Sequence, residues 1–217
     1  MFRTSNYYRV SPPPHMRSEL VVGDGAPTLV EPITLAQGKQ RAGLNWVTGD
    51  DRDELMLGFI ATARAKVEFD TGRALPTQQR DVYLDAMPRG WTPVELPSQS
   101  IPLQSVDRVT YIDSTGMPVI IDPVNYDVDL VSARIAVAMS GALWPTNLRY
   151  LQPWVIRITC GYPTGTIPPM LVHAVGLLVG HFATAGRDIA EIQRGVAIEM
   201  PFGYQSAIDP YVLESVA

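Results

Sequence analysis

Three side chains have the types needed for thiol chemistry: Cys160, the one cysteine of the chain, and the histidines His173 and His181. A thiolate nucleophile needs an imidazole within hydrogen-bond reach to take its proton. Cys160 follows Val155, Ile156 and Ile158 in a run with strand character, which predicts a buried, inert thiol. His173 and His181 stand two turns apart on one helical pattern, whereas a helical ligand pair is spaced by four residues. A zinc site would have to draw on His15 or on distant carboxylates, so both read as satisfied helix histidines. Asp50, Asp51, Asp53 and Glu54 concentrate acid, but without the alternate oxygen ligands and central glycine of a calcium loop, and helix capping accounts for them. Asp122, Asp127 and Asp129 fit the exposed face of a strand. Gly161-Tyr-Pro-Thr-Gly165 lacks the Lys-Ser/Thr of a phosphate loop and reads as a turn. No catalytic residue, cofactor or metal site is predicted.

The elements around these residues follow from pattern. Thr34-Leu-Ala-Gln37 has the spacing of a capping box and opens a short helix, 34–44. Asp51-Arg-Asp-Glu54 repeats the signal and starts a longer helix, 51–71, in which Leu55, Met56, Phe59, Ile60, Ala63 and Val67 recur at helical steps. Gly72 closes it as a left-handed cap. Over 75–160 the texture turns to short β-type runs: Gln79–Leu84, Val106–Ile112, Val119–Ile121, Tyr126–Leu130, Arg134–Val137 and Val155–Cys160. Asp113-Ser-Thr-Gly116 reads as a hairpin, and Pro97, Pro102, Pro118 and Pro123 keep the strands short. Trp144, Tyr150, Trp154 and Tyr162 gather aromatic groups near the last strand, as core or as interface. Pro168 and Pro169 suit the first turn of a third helix, 168–185, whose residues are apolar nearly all round. Enclosure by the sheet, the long helix and a neighbouring subunit is expected for it. Residues 1–32 show no periodicity and form an extended arm; 33–186 form the core; 187–217 form a tail bearing Phe202, Tyr204, Ile208 and Tyr211. The predicted class is α+β, a mostly helical core with a small antiparallel sheet inserted.

Composition narrows the functional range. The chain has 217 residues, a net charge of -5 and scattered arginines, which argues against coating nucleic acid. A single cysteine excludes an intrachain disulfide framework and cysteine-rich zinc modules and fits a reducing cytosol. Met1–Pro14 has no apolar core of a secretory signal. The most apolar stretch, Ile167–Ala185, carries Gly176-x-x-x-Gly180, a spacing that serves close helix packing in lipid. Its histidines and paired prolines favour a buried helix over a span, which takes about 20 apolar residues.

The order of these features resembles the head-tail connector (adaptor) proteins of tailed bacteriophages and phage-derived gene transfer agents. The residues that carry the resemblance begin with Thr34-Leu-Ala-Gln37, Asp50-Asp-Arg-Asp-Glu-Leu55 and Phe69-Asp-Thr-Gly-Arg-Ala-Leu75. They continue with Leu96-Pro97, Val106-Asp-Arg-Val-Thr-Tyr-Ile112, Trp154 to Gly161-Tyr162, Ile167-Pro168 and Leu177 to Phe182. They end with Met200-Pro-Phe-Gly203 and Pro210-Tyr211, so the resemblance spans about residues 33 to 212. The arm before Pro32 is longer than such proteins usually have.

The resemblance implies a structural, non-enzymatic protein made in a bacterial host cytoplasm and placed in the neck of a virion or gene-transfer-agent particle. It implies a homo-oligomeric ring of about twelve copies under the portal protein, contacting a stopper or tail-completion protein and extending a channel through which DNA passes. On that reading Met170, Val175 and Leu178 pack between subunits, and Phe202, Tyr204, Ile208 and Tyr211 dock the tail on the portal. A charge of -5 on each of about twelve copies sums to about -60, and any part facing the channel repels phosphate and keeps the duplex sliding. The alternatives are another neck component, a stopper or tail-completion protein, and a thiol hydrolase built on Cys160.

Overall fold

A computed structural model describes residues 16–23, 25–88, 92–138, 143–185 and 203–213. The fold is α+β, with a helical half and a sheet half joined where Gly72–Thr77 meets Gly161–Ile167. Adjacent residues divide between the two cores: Ala74 packs into the sheet core and Leu75 into the helical one.

The helical half holds α1 (Leu35–Arg41), α2 (Arg52–Thr71), α3 (Pro169–Ala185) and α4 (Tyr204–Ile208). The capping box forms: the Gln37 N–H donates to Thr34 Oγ1 at 3.2 Å, and the Thr34 N–H donates to Gln37 Oε1 at 2.8 Å. At α2 the box expected from Asp51 does not form, for its side chain makes no capping bond. Asp50 accepts the Arg52 N–H instead, and Asp53 turns back to the Gly49 N–H. Gly72 ends α2 at φ 68°, the left-handed cap that its type suits. Met56, Ile60, Ala63 and Val67 of α2 meet Leu171, Ala174, Val175, Leu178 and Val179 of α3. Gly176 and Gly180 serve close packing inside this half, where an added Cβ would lie 3.1 Å from Arg41 Nε and 3.0 Å from the Arg41 carbonyl. The glycines thus let α1 approach α3. Among the described residues no helix is long and apolar enough to cross a membrane.

The sheet half is a sandwich of two antiparallel sheets. The larger runs β1 (Met16–Leu20), β2 (Gln78–Leu84), β8 (Trp154–Cys160), β4 (Leu103–Ile112), β5 (Pro118–Ile121) in spatial order. The smaller runs β3 (Val94–Glu95), β7 (Arg134–Val137), β6 (Tyr126–Asp129). Strict alternation along β8 buries Trp154, Ile156, Ile158 and Cys160, which share a core with Val94, Tyr126, Ile135 and Val137 of the other sheet. Asp113 builds the β4–β5 hairpin by accepting from the Thr115 and Met117 N–H groups.

Two expectations are revised. Part of the arm is a strand: Met16–Leu20 pairs antiparallel with Leu84–Arg80 and covers one edge of β2. Its alternation is weak because one side carries only the half-buried Met16 toward the core, so hydrogen bonding rather than burial places it. Part of the tail is a helix: Tyr204, Ala207 and Ile208 are buried in the helical core. The third helix is therefore closed in by α1, α2 and α4.

Candidate functional site

The residues with chemical potential are placed for structure. Cys160 is fully buried at the end of β8, its thiol 3.7 Å from the Gln99 carbonyl, and burial pushes it up to about 12. A thiol held protonated in this way is a poor nucleophile at neutral pH. His173 is exposed on α3, and His181 is half-buried with its ring 6.1 Å from that of Phe182. Among the described residues, no group of three or more His, Cys, Asp or Glu is placed to hold a metal ion.

The acid cluster before α2 is a joint between helices. Asp53 accepts from Trp46 Nε1 at 2.7 Å and from the Gly49 N–H at 2.7 Å, and it pairs with Lys39 Nζ at 2.6 Å. The Lys39 bond, first among these, holds Asp53 below the ordinary carboxylate range. Lys39, on α1, is buried, and the Arg52 guanidinium lies 4.5 Å from the centre of the Trp46 ring. Asp122 accepts the Val124 N–H, Asp127 is exposed, and Asp129 accepts from Val131 and Ser132 N–H and from Arg134. Gly161 is a turn residue at φ 96°, and a Cβ there would lie 2.0 Å from the Pro76 carbonyl.

The aromatic zone divides. Trp154 is enclosed, with Trp144 edge-on at 5.6 Å, whereas Tyr150 is 92% exposed. Tyr162 joins the helical core.

The residues expected at protein contacts divide as well. Val175 and Leu178 are fully enclosed by the chain's own helices and leave no surface for a neighbour; Met170 is 44% exposed. Tyr204 and Ile208 lie inside the helical core, Tyr211 is half-buried against it, and Phe202 lies outside the described residues. The tail is clamped to the end of α2. Tyr204 Oη donates to Asp70 Oδ2 at 2.7 Å, Arg73 Nε donates to the Tyr211 carbonyl at 2.7 Å, and the Leu213 N–H donates to the Thr71 carbonyl at 3.0 Å. Lys66 pairs with the same Asp70.

An apolar surface that the sequence pattern did not reveal lies on the outer side of α2. Leu55, Gly58, Thr62, Ala65 and Phe69 are all exposed and follow one another at steps of three and four, so they share one face, opposite Met56, Ile60, Ala63 and Val67. Phe69 is 76% exposed, and the Thr62 hydroxyl donates back to the Gly58 carbonyl at 2.8 Å. The signal was present in the sequence, but the core-facing set at neighbouring positions masks it. Beside this face a groove of about 360 Å³ is lined by Leu44, Trp46, Arg52, Leu55, Phe59 and Ala183 among others.

Together these features describe an α+β scaffold with an exposed apolar face on α2. Comparison with solved structures gives that scaffold its likeness. A chain from the neck of an empty gene transfer agent (GTA) particle, computed with C6 symmetry, has the same fold at a TM-score of 0.70 and 22% identity, over 93% of this chain and 97% of that one. A chain of the native gene transfer agent virion matches at 0.63 and 20% identity, over 88% and 98%. One from the native neck, computed with C12 symmetry, matches at 0.63 and 22%, over 88% and 98%. No protein-family model matches the sequence, and no curated protein does.

Proposed function

We propose that this chain is a head-tail adaptor of a phage-like particle, a non-enzymatic protein that forms a ring of about twelve copies beneath the portal. The observation that carries the reading is the likeness in fold, end to end, to chains of particle necks computed with C12 and C6 symmetry. The exposed apolar face of α2 supports it, for a single copy leaves that face uncovered. In this reading the α2 face and Met170 pack between subunits, while Val175 and Leu178 act by holding α3 in the core behind them. Tyr211 and Phe202 contact the portal, and Tyr204 and Ile208 hold α4 in position for them. The opposite end of the ring receives a stopper or tail-completion protein, and the acidic balance of -5 per copy keeps DNA from adhering as it passes.

Mixing the full chain with purified portal and weighing the complex by native mass spectrometry tests the reading. The adaptor assignment predicts about twelve chains on each portal ring. Absence of a complex, with the chain instead joining a preformed portal–adaptor assembly, would assign it to the stopper position.

A further inference from the structure

The groove beside α2 opens where the chain leaves α3. Leu44, Trp46, Met56, Phe59 and Ala183 wall it, with the exposed Leu55 at its rim, around a volume of about 360 Å³. Leu44, Trp46 and Phe59 are only half-buried against the helical core, so the groove turns apolar surface to water. Its charges are already engaged. Arg52 holds both carboxylate oxygens of Asp50 at 2.7 Å, and Lys39 pairs with Asp53 at 2.6 Å. The occupant that suits such a groove is therefore apolar.

Connectivity supplies one. Ala183 is itself a wall of the groove, and the Phe182 ring lies 6.5 Å from that of Phe59, so α3 ends beside it. The described chain resumes at Gly203, next to Tyr204, whose hydroxyl is bonded to Asp70 near the opposite end of α2. From Met56 to Asp70 that helix rises about 21 Å. The 17 residues 186–202 that join these points can reach about 56 Å when extended, so the segment has length to spare near its start. Its first large apolar residues are Ile189 and Ile192, followed by Val196. With Leu178, Phe182 and Ala185 they follow one another at steps of four and three, in the register by which α3 faces α2.

We propose that residues 187–192 of this chain seat on its own groove, with Ile189 and Ile192 between Leu44, Trp46 and Phe59. The tether from Ala183 is a few residues long, which sets an effective concentration in the millimolar range or above and favours the chain's own segment over that of a second copy. The occupant closes the joint of α1 and α2 around Trp46. It leaves the outer face of α2 from Gly58 to Phe69 for a neighbour.

The inference stands apart from the ring reading, since its test is made on single chains. In a full chain carrying Cys160→Ser, two cysteine pairs are introduced separately: Leu44→Cys with Ile189→Cys, and Phe59→Cys with Ile192→Cys. Mild oxidation in dilute solution gives an intrachain disulfide in at least one pair, read as a monomer two hydrogens lighter by mass spectrometry. Linked dimers in its place assign the groove to a second copy, and no linkage in either pair leaves it without this occupant; each result overturns the proposal. In urea titration of the dilute chain, Ile189→Ser with Ile192→Ser lowers the folding equilibrium constant at least about 10-fold, as loss of two buried side chains does. An unchanged midpoint overturns the proposal as well, whatever the state of the ring.

Discussion

At the scale of single residues, burial and hydrogen bonding decide what the reactive groups do. Cys160 is enclosed and its thiol is pushed up to about 12, so it should resist iodoacetamide in the folded protein and react at once in denaturant. Fast labelling of the native chain would contradict that, and Cys160→Ser should leave assembly unaltered. Gly161 combines φ 96° with a Cβ position 2.0 Å from the Pro76 carbonyl. Gly161→Ala should therefore lower the unfolding free energy by about 3 kcal/mol or more in urea titration. The titrating groups set a window. Lys39 depresses Asp53, the Thr115 hydroxyl depresses Asp113, and the Ser132 N–H leads in bringing Asp129 to about 2. Since folding lowers these values, the stabilisation they give is complete above the unfolded carboxylate value of about 4 and is lost as pH falls below it, for Asp129 towards about 2. For Cys160 the folded value is raised, so its contribution is complete below about 8.5 and is lost as pH climbs towards about 12. Thermal melts should show a plateau between those limits and a fall on both sides.

At the scale of elements, the short C-terminal helix changes what the tail can be. Tyr204 is buried beside Ile208 and bonded to Asp70, so α4 belongs to the core that α2 and α3 form. Removing residues 200–217 should unfold the helical half rather than only release a partner. Tyr204→Ala should cost about 3–5 kcal/mol, and Tyr204→Phe, which loses one hydrogen bond to a carboxylate, about 1–2 kcal/mol, both by chemical denaturation. Much of this scale was legible: the Thr34 to Gln37 box, Gly72 as a cap, paired prolines at α3 and the period-two run of β8 each express a local rule. The missed elements obey longer-range ones. Met16–Leu20 is an edge strand that takes its order from β2, and β3 is two residues long. Tyr204, Ala207 and Ile208 do have helical spacing, but three anchors in a five-residue helix give too short a pattern to stand out. Lys39 reads as a surface residue, because only Asp53, brought by another helix, makes its burial tolerable.

At the scale of the whole molecule, two cores share one chain, and part of the exposed apolar surface lies on the outside of α2. Leu55→Glu with Phe69→Glu should leave the melting temperature nearly unchanged, as for surface substitutions, and yet prevent assembly in size-exclusion chromatography. The candidate contact surface was harder to read than the fold, since an apolar residue on α2 looks the same in sequence whether it meets α3 or a neighbour. Val175 and Leu178 lie enclosed within the chain, whereas Phe69 of α2 is exposed. Imaging the necks of particles that carry this chain tests the central claim most directly. The adaptor account predicts a ring of about twelve copies directly under the portal, α2 faces turned to their neighbours; density for the chain elsewhere in the particle, or as solitary copies, would contradict it.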